Sequence, residues 1–248
     1  MWSLQHRPIK CRIDCVASTC DLVSRMIYIL LALVAFGCEC FGGPSSSAQS
    51  KVNSTMVYVV TSFGARGDGI SDDGPAIQKA MTAAAAAGSG QVTFPCGEFF
   101  LQSVVGTAPG SRSLLYLKGA SRVYLSGQGH CTHLFTRLSQ KSVLEFEGSD
   151  RVAVANMRIS ALNAPYVETY GLDGGSAIRF SGVTNGSITH VEVDGASAGA
   201  LYLTKGTSHS TVANNFIHDT YGGGIWEDDC GGASATTCAP SSPPMYNT

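Results

Sequence analysis

Short apolar runs broken by glycine and asparagine dominate the chain after Val57, and they recur in register with one another. Three segments align without gaps: Val154 to Ser160, Ile188 to Asp194 and Val212 to His218. Each reads apolar, x, Asn or His, x, x, Ile or Val, polar, with Asn156, His190 and Asn214 at the third position. An alternating run precedes each, around Leu144 and Phe146, Ile178 and Phe180, and Leu201 and Leu203. Each of these leads into a glycine: Gly148, Gly182 or Gly206. An earlier copy lies at Leu115 to Gly119, followed by Val123 and Leu125. Period-two alternation over such short stretches predicts half-buried strands. The spacing, 34 residues from Asn156 to His190 and 24 from His190 to Asn214, predicts a solenoid whose coils bury their apolar side chains against one another. A βαβ sheet would need helical patterns between the strands, and none follows Gly88.

One helix is expected, before the repeat. Asp72 and Asp73 stand ready to cap it, Pro75 suits its first turn, and Ile77, Ala80, Met81 and Ala84 fall on one face. Gly88 suits a left-handed residue at its end. The helix is expected to cover the open end of the stack, since terminal repeats need a cap. Paired aspartates could serve acid/base chemistry, but their place before an apolar-periodic run reads as capping.

The segment FGARGDGISDDGPAIQKA, closed by the strand and turn at Val92 to Gly97, resembles the opening of the pectate-lyase-like superfamily, in particular its rhamnogalacturonase/epimerase-like branch. Gly127-Gln128-Gly129 resembles that family's turn after the first coil. The resemblance implies an all-β fold, a right-handed parallel β-helix with an N-terminal capping α-helix. It also implies a secreted, polysaccharide-active protein, a lyase or glycoside hydrolase acting on an acidic polymer such as pectin. The alternatives are a non-catalytic glycan-binding or adhesion β-helix and a tailspike-like structural one, so a monomer and a trimer both stay open.

Composition narrows the picture. Charged residues are only 14%, glycines number 29, and the net charge is −2. Without a basic patch, nucleic acid is not an expected partner. Residues 26–36 form a short apolar core behind Arg25, which reads as a signal peptide within a leader over 1–48, followed by a linker over 49–56 and a β-helix domain over 57–248. Met26 as the true start, and an uncleaved anchor, are the alternatives. Secretion or the cell envelope is the expected location, with no stable membrane insertion after processing. The chain stops at Thr248 after only a few coils, so the domain is expected to be C-terminally truncated. Four cysteines follow the leader, an even number that suits pairing in an oxidising compartment. Cys96–Cys131 would tie the first strand to the next coil and Cys230–Cys238 would close a short loop. Free thiols are the alternative.

Candidate chemistry gathers where the repeat carries extra residues. The stretch between Ser160 and Ala177 holds Tyr166, Glu168, Tyr170 and Asp173, and the stretch after Ile217 holds Asp219, Tyr221, Trp226, Glu227, Asp228 and Asp229. Both leave the repeat after the same aligned strand, with Asp194 at the equivalent position between them. Carboxylates with aromatic faces suit a sugar polymer, as the acid and base of glycoside hydrolysis or as Ca²⁺ ligands in a lyase. Asp194, Asp228 and Asp229 are the catalytic candidates. Tyr166, Glu168, Tyr170, Asp219, Tyr221, Trp226 and Glu227 are the binding candidates. No metal ligand set is assigned, and Ca²⁺ is the one cofactor considered. Asp228-Asp229-Cys230 looks like the Asp-Asp-Cys of polygalacturonases, although Gly206-Thr207-Ser208 stands where that family has Asn-Thr-Asp. His190 reads as a ladder substitute for Asn156 and Asn214, and His130 and His133 as turn residues.

Overall fold

A computed structural model describes residues 55–106, 113–138, 141–161 and 175–228. The strands are β1 (Val57–Val59), β2 (Asp68–Asp72), β3 (Gly90–Thr93), β4 (Gly97–Leu101), β5 (Ser113–Lys118), β6 (Val123–Ser126), β7 (Thr132–Thr136), β8 (Ser142–Glu147), β9 (Ala153–Ser160), β10 (Ile178–Ser181), β11 (Ser187–Asp194), β12 (Leu201–Thr204), β13 (Thr211–Ala213), β14 (Phe216–Ile217) and β15 (Ile225–Asp228), with helix α1 at Gly74–Ala86. The protein is a right-handed parallel β-helix. Its strands stack in three columns. β5, β8, β10, β12 and β15 form a five-stranded parallel sheet, and the other two columns join in a ten-stranded sheet because β9 and β11 each run through both.

The register matches the repeat read from the sequence. Val154 pairs with Ile188 and Ile188 with Val212, while Ile159 pairs with Val193 and Val193 with Ile217. In the other sheet, Phe146, Phe180 and Leu203 lie side by side. These side chains fill the interior, where Leu144, Phe146, Ile159, Ile178, Phe180, Val193 and Leu201 are fully buried. Asn156, His190 and Asn214 all bend the chain between two columns at φ near +55°. Asparagine tolerates that left-handed conformation well, and His190 takes its place as the ladder predicts.

Helix α1 stands where an earlier coil would carry its third strand, and packs against β1, β3 and β5. Ile77, Ala80, Met81 and Ala84 are all fully buried. The Gln78 amide closes the edge of β5: its Nε2–H donates to the Tyr116 carbonyl at 2.8 Å, and its Oε1 accepts from the Tyr116 N–H at 2.9 Å. One side chain thus stands in for the missing neighbouring strand, which an open parallel edge requires. The aspartates divide the capping differently from the expected scheme. Asp72 Oδ1 accepts the Gly74 N–H at 3.1 Å and the Gln102 N–H at 3.0 Å. Asp73 occupies the N-cap position, where its carbonyl accepts the Ile77 N–H at 3.0 Å but its side chain makes no bond to the helix. Its carboxylate instead accepts from the backbone N–H groups of Arg66 (2.6 Å) and Gly67 (3.0 Å), holding the glycine-rich turn.

The Cys96–Cys131 disulfide is present, with Cα atoms 4.8 Å apart, and it ties adjacent coils. Cys230 and Cys238, the leader and the start of the linker lie outside the described residues, and the described residues all belong to the compact unit Val52–Thr248. No helix among the described residues is long and apolar enough to cross a membrane.

Replacing Gln78 with Ala removes both of its hydrogen bonds to the backbone of the buried edge residue Tyr116. The expected cost is about 2 kcal/mol, a fall of roughly 4–8 °C in melting temperature for a domain of this size. Thermal unfolding followed by circular dichroism measures it, and Gln78→Glu should recover little, since a carboxylate cannot donate to the Tyr116 carbonyl.

Candidate functional site

Parallel stacking in register places outward-facing side chains of successive coils in rows. On the five-stranded sheet one row is Tyr116, Glu145, Arg179, Tyr202 and Trp226, and the next is Lys118, Glu147, Ser181 and Thr204. The first row is held by a chain of contacts. Glu145 accepts from the Ser113 hydroxyl at 2.5 Å and lies 3.6 Å from Arg179 Nε. The Arg179 guanidinium sits 4.6 Å over the Tyr202 ring, whose edge meets Trp226 with centroids 6.3 Å apart. Glu145 and Arg179 are both fully buried, although they point away from the apolar interior. Beside them, Ser181 Oγ and Thr204 Oγ1 are buried and have no hydrogen-bond partner among the described residues. Buried hydroxyls almost always find a partner, so these two, in register beside a buried ion pair, are an exception that calls for an explanation.

The outer face of the ten-stranded sheet carries a second, more open network. Glu98, His133, Arg158, Glu192 and Phe216 form one row, and Phe100, Phe135, Ser160 and Asp194 the next, with His218 following Ile217. His130 Nδ1 lies 2.6 Å from Glu192 Oε2, and His218 Nε2 lies 3.3 Å from Glu192 Oε1. Asp219 engages His218 Nδ1 at 2.7 Å. Arg158 binds Asp194 through Nε at 3.1 Å and again through Nη2. Burial opposes ionisation of Asp194, but the Ser160 hydroxyl and the Arg158 guanidinium outweigh it and hold its carboxyl below the usual range. Glu192 is likewise lowered, the bonds from His130 and His218 overcoming its desolvation. His218 is raised, first by Asp219 and then by Glu192, against some desolvation.

A profile of the family described as rhamnogalacturonase A/epimerase, pectate lyase-like, matches residues 57–234. The chain belongs to this family. Its similarity to the mannuronan C5-epimerase AlgE4 of Azotobacter vinelandii is 49% identity over 74 residues, covering 30% of this chain and 12% of the epimerase. Similarity to alginate lyase 7 of the same organism is 32% over 157 residues, covering 63% of this chain and 16% of the lyase. The chain thus spans only a small part of these relatives. The fold is shared with PfbA, a surface adhesin of Streptococcus pneumoniae, at a TM-score of 0.51 and 21% identity over 67% of this chain and 40% of that one.

Within this family fold, the structure separates residues that the sequence placed in one groove. Trp226 and Asp228 sit in strand β15 of the five-stranded sheet, in register with Tyr202 and Thr204, and not in an irregular loop. The stretch after Asp219 therefore contains the next coil's strand. Glu227 lies at the register of interior Leu203, yet is exposed. Asp194 instead ends β11 of the ten-stranded sheet and Asp219 lies just after β14, where Arg158 and His218 engage them, and Tyr221 is exposed just beyond. Tyr166, Glu168, Tyr170, Asp173 and Asp229 lie outside the described residues. Glu145, Arg179, Ser181 and Thr204 were missed because they look like ordinary positions of an alternating strand. The available signal was charge at a position whose neighbours in the repeat are aromatic. His130 and His133 were read as turn residues, yet they join the network through Glu192 and Glu98. Glu192, Asp194 and His218 bring potential metal-ligand atoms within 4.8 Å of one another. That set mixes nitrogen with oxygen, so Ca²⁺, which prefers oxygen ligands, would also compete with Arg158 for Asp194.

Since the folded-state pKa of His218 lies above its unfolded value of about 6.5, its contribution to stability is complete below that value. The contribution fades as pH rises through the raised folded pKa. An NMR titration of the imidazole should give a midpoint above that of a free histidine, and Asp219→Asn should lower it. A midpoint unmoved by that substitution would remove the Asp219 contact from the account.

Proposed function

We propose that the protein acts on a uronate polymer along the outer face of the five-stranded sheet, by chemistry that begins with removal of the proton at C5. The orphan hydroxyls of Ser181 and Thr204, buried beside Arg179 and Glu145, carry this reading. Sugar hydroxyls would satisfy them, and Arg179 suits a sugar carboxylate because its planar fork matches that group. Neutralising the carboxylate acidifies the adjacent C5–H. Glu145 and the phenols of Tyr116 and Tyr202 supply groups able to take and return a proton. The resulting anion can be reprotonated, giving epimerisation, or can expel the 4-linked sugar, giving elimination. The named relatives, a mannuronan epimerase and an alginate lyase, support C5 chemistry over hydrolysis. Secretion, expected from the leader, would bring the protein to such polymers. No cofactor is assigned.

The test is incubation with polymannuronate, polyguluronate and polygalacturonate, with and without Ca²⁺. An unsaturated-uronide absorbance would report elimination, an altered NMR sugar signature epimerisation, and new reducing ends without unsaturation hydrolysis. Ser181→Ala and Thr204→Val should each leave the melting temperature unchanged or raise it, because they remove an unpartnered buried hydroxyl. Each should weaken polymer binding by about tenfold, the worth of one lost ligand hydrogen bond. Unaltered affinity in both variants would sink the assignment to this face.

A further inference from the structure

Three side chains on the other face form an arrangement that the proposed uronan chemistry does not use. Ser160 Oγ lies 2.7 Å from His133 Nε2, and His133 Nδ1 lies 2.5 Å from Glu98 Oε2. The residues come from β9, β7 and β4, three adjacent strands, and all point outward from one sheet. Hydroxyl, imidazole and carboxylate therefore stand in the order and at the spacing of a nucleophile, its base and the group that orients the base. In the tautomer that donates Nδ1–H to Glu98, Nε2 offers its lone pair to the serine hydroxyl.

Further features fit the arrangement. The Phe135 ring stacks on His133 with centroids 5.2 Å apart, and Phe100 stacks on Phe135 at 5.2 Å, which fixes the imidazole and offers an apolar wall. His133 is 13% exposed and Ser160 is half-buried, so the hydroxyl is reachable but sheltered. Arg158 stands two residues before Ser160 on the same face. Its Nε and Nη2 bind Asp194, and Nε also lies 3.4 Å from Glu192, so Nη1 is the part of the fork that can meet a developing oxyanion. Asp194, which Arg158 also binds, is a second hydrogen-bond partner of the Ser160 hydroxyl and competes with His133 for its proton.

We propose that Ser160, His133 and Glu98 form a serine esterase site that removes acyl groups from O-acylated acidic sugars. Ser160 Oγ bonds to the acyl carbon as its proton passes to His133 Nε2. The ester C–O bond then breaks, and the departing sugar oxygen takes that proton. Water next attacks the acyl-serine, giving a proton to His133, and the free acid leaves as Ser160 regains its hydrogen. Ser160 and His133 are the catalytic residues, and Glu98 is a positioning residue. The choice of an acidic sugar as the alcohol rests on the uronan reading above, whereas the ester chemistry does not.

The experiment treats the full chain with a fluorophosphonate probe and with p-nitrophenyl acetate, then measures acetate released from O-acetylated polymannuronate. Mass spectrometry should find the probe on Ser160, and both hydrolyses should fall on the order of a thousandfold in Ser160→Ala and His133→Gln. Glu98→Gln should lower kcat with KM unchanged, and Glu98→Asp should restore part of the loss, which a merely structural role would not produce. Circular dichroism checks that each variant folds. An unlabelled Ser160 with no ester hydrolysis overturns the triad. Labelling and p-nitrophenyl acetate hydrolysis without acetate release from the polymer overturn the sugar ester as substrate. Polymer affinity, measured separately by affinity electrophoresis, tells whether the uronan reading has failed as well.

Discussion

In-register parallel pairing governs everything else in this molecule. Each strand lies about 4.8 Å from its copy in the next coil, so a residue's nearest lateral neighbours are its equivalents one repeat away. Inside, this stacks Phe146 on Phe180 and Val193 on Ile159 and Ile217. Outside, it forbids rows of like charge, because adjacent equal charges at that spacing repel. Both outer faces obey the rule. Glu98, His133, Arg158 and Glu192 alternate acid, imidazole, cation and acid, and Glu145 meets Arg179 between aromatic neighbours. A row on this fold is therefore a chemical sequence written perpendicular to the chain.

The stack needs its corners and its end held as firmly as its strands. Left-handed residues at the same place in each coil turn the chain without consuming a strand pair. At the start, α1 buries an apolar face, and Gln78 supplies a peptide-like donor and acceptor to the exposed edge of β5. Asp73 is buried, and desolvation raises its pKa despite two backbone N–H bonds, so its carboxylate is a costly but firm anchor for the turn before the helix.

The two faces differ in what their charges can do. On the five-stranded sheet, Glu145 and Arg179 are withdrawn from water, where an ion pair seldom adds net stability and its retention points to specificity. On the ten-stranded sheet the groups keep partial solvent access, so water screens their ion pairs.

The repeat, the corner positions, the capping helix, the Cys96–Cys131 pairing and membership of a β-helical family were all legible in the sequence. They depend on period, glycine placement and local capping, which are properties of neighbours along the chain. Asp194 and Asp219 were found as polar residues at the outer edge of the repeat, but their partners Arg158 and His218 were not foreseen. Trp226 and Asp228 were recognised as candidates yet assigned to a loop, because one two-residue strand, β14, weakened the pattern before β15. Residues 34 or 24 apart become neighbours only when coil lengths are fixed, and the inserted stretches hide those lengths. Only the tertiary structure could align Ser160 with His133 and Glu98, or leave Ser181 and Thr204 side by side without partners. The sequence determined that the chain winds. The winding decided which distant side chains meet, because contact across coils depends on register that no local pattern records.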